Sequence, residues 1–150
     1  MFMKNFSRLV AIVTLVLAVG FTARADRHVD VSQLPAEAQS FIKKHYASVN
    51  IRECEQDNGY FDIELKNGID MAFDAKGKLL KLEAGNKKIS QAILKEILPA
   101  KIYTELSTRN LLNKVEEIEF NQSNVKIETS EWFKDEYRFD LDGNLISVTD

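Results

Sequence analysis

A seven-residue pattern occurs twice in this chain, and the spacing between its copies governs what the rest can fold into. Phe73-Asp74-Ala75-Lys76-Gly77-Lys78-Leu79 is matched by Phe139-Asp140-Leu141-Asp142-Gly143-Asn144-Leu145, so both halves carry F-D-x-x-G-x-L. Upstream, Gln33-Leu34-Pro35-Ala36 aligns with Ile97-Leu98-Pro99-Ala100 at an offset of 64 residues, and Phe61, Ile63 and Glu64 align with Val125, Ile127 and Glu128 at the same offset. At the second F-D-x-x-G the offset has become 66, which places two extra residues near Ser130 to Phe133. Self-similarity over such a period marks one supersecondary unit used twice.

Each copy reads as a helix followed by a β-meander. Leu34, Ala38, Phe41, Ile42 and Tyr46 recur at helical spacing behind Pro35, which suits an opening turn. Short alternating runs follow at about 49–56, 60–65, 69–74 and 78–83, separated by Asp57-Asn58-Gly59, Lys66-Asn67-Gly68 and Asp74-Ala75-Lys76-Gly77. Asn-Gly between alternating runs signals a hairpin, because both residues tolerate the positive φ of a tight turn. In the second copy Ser90 caps a short helix to about Leu98, Pro99 restarts the chain, and strands are expected at 114–121, 124–129, 133–140 and 144–149. Period two then sorts the strand faces. Phe61, Ile63, Leu65, Ile69, Met71 and Phe73 share one side, with Val125, Ile127, Tyr137 and Phe139 in the second copy, while Tyr60, Asp62, Glu64 and Asp70 point away. The expected architecture is α+β: helices on one face of an antiparallel sheet of about eight strands, the other face in water.

Ahead of the repeat lies an export signal. Lys4 and Arg8 precede an uncharged apolar run from Leu9 to Phe21, and Ala23-Arg24-Ala25 is a small-x-small cleavage site. The run is shorter than the ~20 residues that span a bilayer. The expected division is 1–25 signal peptide, 26–85 first repeat and 86–150 second repeat, with a periplasmic or secreted product and no membrane span after cleavage. The whole chain has 20 Lys+Arg against 23 Asp+Glu; without Lys4, Arg8 and Arg24 the balance is 17 against 23, near −6. Such a balance excludes nucleic acid as the partner, since phosphate needs a basic footprint. Cys54 is the only cysteine, so no internal disulfide can staple the fold.

A helix opened by Leu-Pro and a meander with N-G and F-D-x-x-G turns, present twice behind an export signal, resembles the PepSY-like family, whose members are also described as similar to β-lactamase inhibitory protein. The resemblance covers about residues 30–150 and is carried by Leu34-Pro35, Asn67-Gly68, Phe73-Asp74 and Gly77, then by Leu98-Pro99, Phe139-Asp140 and Gly143. The second copy departs where Ser130-Glu131-Trp132 replaces the middle Asn-Gly. The resemblance implies a non-enzymatic exported protein whose uncovered sheet face contacts another protein. It does not carry a particular partner across.

The residues themselves lead away from catalysis. The only histidines are His28, expected in an N-terminal tail, and His45, near the end of the first helix; neither forms a zinc spacing with Cys54, and no G-x-S-x-G or G-x-G-x-x-G is present. Asp140-Leu141-Asp142-Gly143-Asn144 is weighed as a calcium loop and set aside for a β-turn, because its Gly stands fourth and no glutamate follows at the twelfth place. An acid pair of Asp62 with Asp70 on adjacent strands is expected to be solvated. Catalytic residues, metal ligands and cofactors are therefore all expected to be none. The candidate contacts for an unidentified protein or peptide are the open-face residues Tyr60, Asp62, Asp70, Lys126, Glu128 and Arg138, with Trp132 at the insertion, aromatic anchors being favoured in interfaces. The expected role is an exported binding module, inhibition of an exported enzyme being one form of it. The alternative is an envelope-associated structural or stress protein with no dedicated ligand site.

Overall fold

The computed structural model describes residues 27–130 and 134–150. Strand β1 is Arg27–His28, and a 3-10 turn at Val31–Gln33 leads into helix α1, Ala36–Tyr46. The first meander is β2 (Ile51–Asp57), β3 (Tyr60–Leu65), β4 (Asp70–Phe73) and β5 (Leu79–Glu83). Helices α2 (Gln91–Ile97) and α3 (Ala100–Thr108) open the second copy, and β6 (Val115–Phe120), β7 (Asn124–Ser130), β8 (Lys134–Asp140) and β9 (Leu145–Thr149) complete it. All nine strands form one open antiparallel sheet in chain order, so the two meanders join edge to edge through β5 and β6. The fold is α+β with a two-fold repeat.

The duplication extends to local irregularities. A β-bulge between Ile51 and Glu53 recurs between Val115 and Glu117, and one between Ala72 and Phe73 recurs between Arg138 and Phe139. The first pair is separated by the 64-residue offset and the second by 66, so the change of offset falls between β7 and β8. The expected insertion, with Trp132, lies there; residues 131–133 are outside the described residues, as is the expected signal peptide.

Both F-D-x-x-G turns do the same work. The Asp74 carboxylate accepts from the backbone N–H of Lys76 and Lys78, each at 2.9 Å, and the Asp140 carboxylate accepts from the N–H of Asn144 at 2.7 Å. Gly77 and Gly143 have φ of +87° and +83°, in the left-handed region. They also lie beneath the helices that follow Leu-Pro. A Cβ on Gly77 would stand 2.9 Å from the Ala38 nitrogen, and one on Gly143 would stand 3.0 Å from the Lys101 Cβ. The turn reading of Asp140 to Asn144 thus has its physical reason in helix–turn contact.

The core lies between the helices and one sheet face. Leu34, Ala38 and Ile42 from the first helical segment, and Leu94, Ile102 and Leu106 from the second, pack with Ile63, Met71, Phe73, Ile118, Ile127 and Phe139. The assignment of strand faces by period two is the one observed. Two details differ. Among the described residues the sheet has nine strands rather than about eight, because His28 is not in a tail but in β1, opposite Glu55 on β2; a two-residue strand is too short to display alternation. And the helix-free face is not uniformly wet.

Candidate functional site

Among the described residues no helix covers the second sheet face, and its side chains are mostly charged. The strand registers place carboxylates opposite one another in a single transverse row. Glu53 faces Glu64, Glu64 faces Asp70, and Asp70 faces Glu83; across the seam Glu83 faces Glu117, Glu117 faces Glu128, and Glu128 faces Glu136. With strands about 4.8 Å apart, this ladder runs roughly 29 Å. Duplication accounts for its length, since Glu53, Glu64 and Asp70 recur as Glu117, Glu128 and Glu136. Like charges in directly opposed positions destabilise a sheet. A local rule broken over seven strands points to a use other than stability.

Cations from the adjoining row and the bulge offset part of the repulsion. Arg52 Nη1 lies 2.7 Å from Glu64, Lys81 Nζ lies 3.2 Å from Glu117 and 3.5 Å from Glu83, and Arg138 Nε lies 2.6 Å from Glu136. Lys126 takes the largest share. Its Nζ is 3.0 Å from Glu119, 3.3 Å from Glu128 and 3.5 Å from Glu117, and only 14% of its side chain is exposed. Burial alone would lower its pKa, but the hydrogen bond to Glu119 and the charges of Glu119, Glu117 and Glu128 outweigh this and raise it. Glu117 and Glu119 are buried too, at 8% and 6%. The seam is thus a salt-bridge network shielded by its own side chains, and Lys126 belongs to it.

Among the described residues, Asp70 makes no ion pair with a Lys or Arg. Its Oδ1 is buried with no hydrogen-bond partner. Burial first, then the charges of Glu64 and Glu83, push its carboxyl up from 3.8 to about 6, against a smaller pull from Lys81 and Arg52. The expected pair with Asp62 is not formed directly, since Asp62 faces Ala72 while Asp70 faces Glu64 and Glu83. Nor is Asp70 fully solvated: its Oδ1 is buried by crowding that comes from register, which periodicity does not reveal. A carboxyl whose folded pKa is raised gives most to stability below its unfolded pKa, and that contribution is lost as the pH climbs through about 6. The shift corresponds to at most about 3 kcal/mol, and partial exposure with solvent screening reduces this to about 1 kcal/mol. Asp70→Asn should therefore be about 1 kcal/mol more stable relative to wild type at pH 7.5 than at pH 4 by urea unfolding. A difference that does not change with pH would contradict this placement.

The remaining candidates are scattered around the ladder. Tyr60 opens β3 opposite Asp57 and is 38% exposed. Arg138 is half-exposed and held by Glu136, while Glu128 lies between Lys126 and Lys134. Trp132 is outside the described residues. Cys54 is buried on the core face of β2, and burial, followed by the charges of Asp30, Asp62 and Glu55, pushes its thiol up to about 11. His45 is 3.1 Å from Glu96 on α2, so its ring ties the two helical segments together and does not activate Cys54. A groove of about 390 Å³, lined by Phe41, Lys44, Gly77 and Glu96 among others, opens on the helix side. No described helix is long and apolar enough to cross a membrane.

The repeat, the Leu-Pro helix starts and the paired F-D-x-x-G turns have a counterpart in one family model, "Putative beta-lactamase-inhibitor-like, PepSY-like", which matches twice, over residues 21–81 and 83–147. The chain belongs to the PepSY-like family. Among solved structures, a Bacteroides vulgatus "putative periplasmic protein" is 24% identical, with 85% of this chain and 99% of that one covered and a TM-score of 0.76. A Bacteroides thetaiotaomicron "putative calcium-regulated periplasmic protein" is 26% identical, covering 83% and 97% with a TM-score of 0.73. A second Bacteroides vulgatus protein, "of unknown function", is 23% identical over 84% and 100%, with a TM-score of 0.69. No curated protein matches the chain. The turns and helix starts of this chain are structural, so the family relationship accounts for the fold and leaves the ladder to be explained by its own chemistry.

Proposed function

We propose that this chain is an exported, non-enzymatic binding module that uses its helix-free sheet face to hold a protein or peptide presenting basic groups. The observation that carries the reading is the carboxylate ladder across β2 to β8. A patch roughly 29 Å by 20 Å is comparable with the ~800 Å² that each partner contributes to a standard interface. A face on which carboxylates outnumber the Lys and Arg paired with them also steers a partner of opposite charge into contact. Tyr60 would serve as an anchor at its margin and Trp132 as a second anchor, with Asp62, Asp70, Glu128 and Arg138 as polar contacts. Restraint of an exported enzyme is one form such binding could take, in keeping with the inhibitor-like description of the family. Periplasmic placement accords with the descriptions of the relatives. Immobilised protein should retain a partner from periplasmic extract saturably, losing it in added salt and in the Tyr60→Ala/Glu83→Gln/Glu136→Gln variant. Retention that ignores both would leave an envelope structural role.

A further inference from the structure

We propose that His28, Glu53 and Glu55 form a site for a divalent transition-metal ion of the zinc type at the β1 edge of the sheet. Three observations build it. Glu53 and Glu55 alternate onto the same side of β2, and β1 pairs with β2 so that His28 stands opposite Glu55. Their donor atoms converge: all three lie within 4.8 Å of one another, with His28 Nε2 3.6 Å from a Glu53 oxygen and 3.7 Å from a Glu55 oxygen. These separations exceed hydrogen-bond length. They are close to the ~3.4 Å edge of a tetrahedron whose metal–ligand bonds are about 2.1 Å.

The duplication supplies the third observation. At the 64-residue offset Glu53 and Glu55 correspond to Glu117 and Glu119, and that second pair holds a cation, the Lys126 ammonium, 3.5 and 3.0 Å away. The position equivalent to Lys126 in the first copy is Asp62. The first copy therefore has the same two glutamates, an aspartate in place of their lysine, and an imidazole brought over by β1. An imidazole nitrogen with two carboxylates suits zinc or a similar borderline ion. Three donors are too few for the six to eight oxygens of calcium. The fourth position is left to water or to a donor from a partner, and the bound ion would clamp the two-residue β1 to the sheet.

The test is a zinc titration of the metal-stripped mature protein against a chromophoric chelator. One zinc should bind per chain, and His28→Ala, Glu53→Gln and Glu55→Gln should each weaken it at least tenfold, while His45→Ala leaves it unchanged. Asp62→Lys, which copies the second half's arrangement into the first, should abolish binding. Cobalt in place of zinc should show the intense ligand-field absorption of a tetrahedral site, absent in His28→Ala. No stoichiometric zinc, or zinc held equally by the Glu53 and Glu55 variants or by Asp62→Lys, would overturn the proposal.

Discussion

Replacing Phe73 or Phe139 by Ala should cost about 3–5 kcal/mol in each case, and the two costs should agree to within about 1 kcal/mol, a margin set by how far each site can collapse. Both side chains are fully buried, at 0% exposure. Each lies at a β-bulge directly before its F-D-x-x-G turn, where sheet, turn and helix meet. Phe73 adds an edge-on contact with Phe41 of α1, with ring centroids 6.0 Å apart. Global stability of such a domain is about 5–15 kcal/mol, so either substitution removes a large part of it. Urea unfolding should register the loss as a lower midpoint with an unchanged slope. Losses under about 1 kcal/mol at both positions would mean that the buried face has been misassigned. A large loss at only one would mean that the two copies are not mechanically equivalent.

Lys126→Met should be the next most damaging change, at about 2–4 kcal/mol, because removing one partner of a buried ion group leaves the others uncompensated. Here the charges left facing one another would be those of Glu117, Glu119 and Glu128. Met retains most of the apolar stem, so the loss reports on charge rather than packing. Lys126→Arg, which keeps the charge, should recover most of it. If Lys126→Met costs no more than an ordinary surface substitution, about 0.5 kcal/mol, the seam is solvated and the ladder carries no electrostatic tension.

Features that depend on spacing along the chain were legible in the sequence. The offsets of 64 and 66, the Leu-Pro helix starts and the Asn-Gly hairpin at Asn58-Gly59 are local, and alternation alone sorts Phe61, Ile63 and Leu65 from Asp62 and Glu64. Features that depend on lateral register were not. Asp70 looked like an open-face carboxylate near Asp62, and only the pairing of β3, β4 and β5 places it between Glu64 and Glu83. Lys126 looked like an open-face contact for the same reason, since its burial arises from β6 beside it. His28 and Glu55 are separated by more than twenty positions and meet only because β1 adds to the sheet. The signal that could have exposed the ladder was present, namely that Glu53, Glu64 and Asp70 recur as Glu117, Glu128 and Glu136.

Carboxyl footprinting tests the binding face most directly: free and partner-bound protein are labelled with a carbodiimide and an amine, and modification is read residue by residue by mass spectrometry. Partner binding should protect Asp62, Glu83 and Glu136 on the helix-free face while leaving Glu37 and Glu105 on the helices fully reactive. Protection of the helical glutamates with the ladder still open to reagent would place recognition on the other layer and contradict the account.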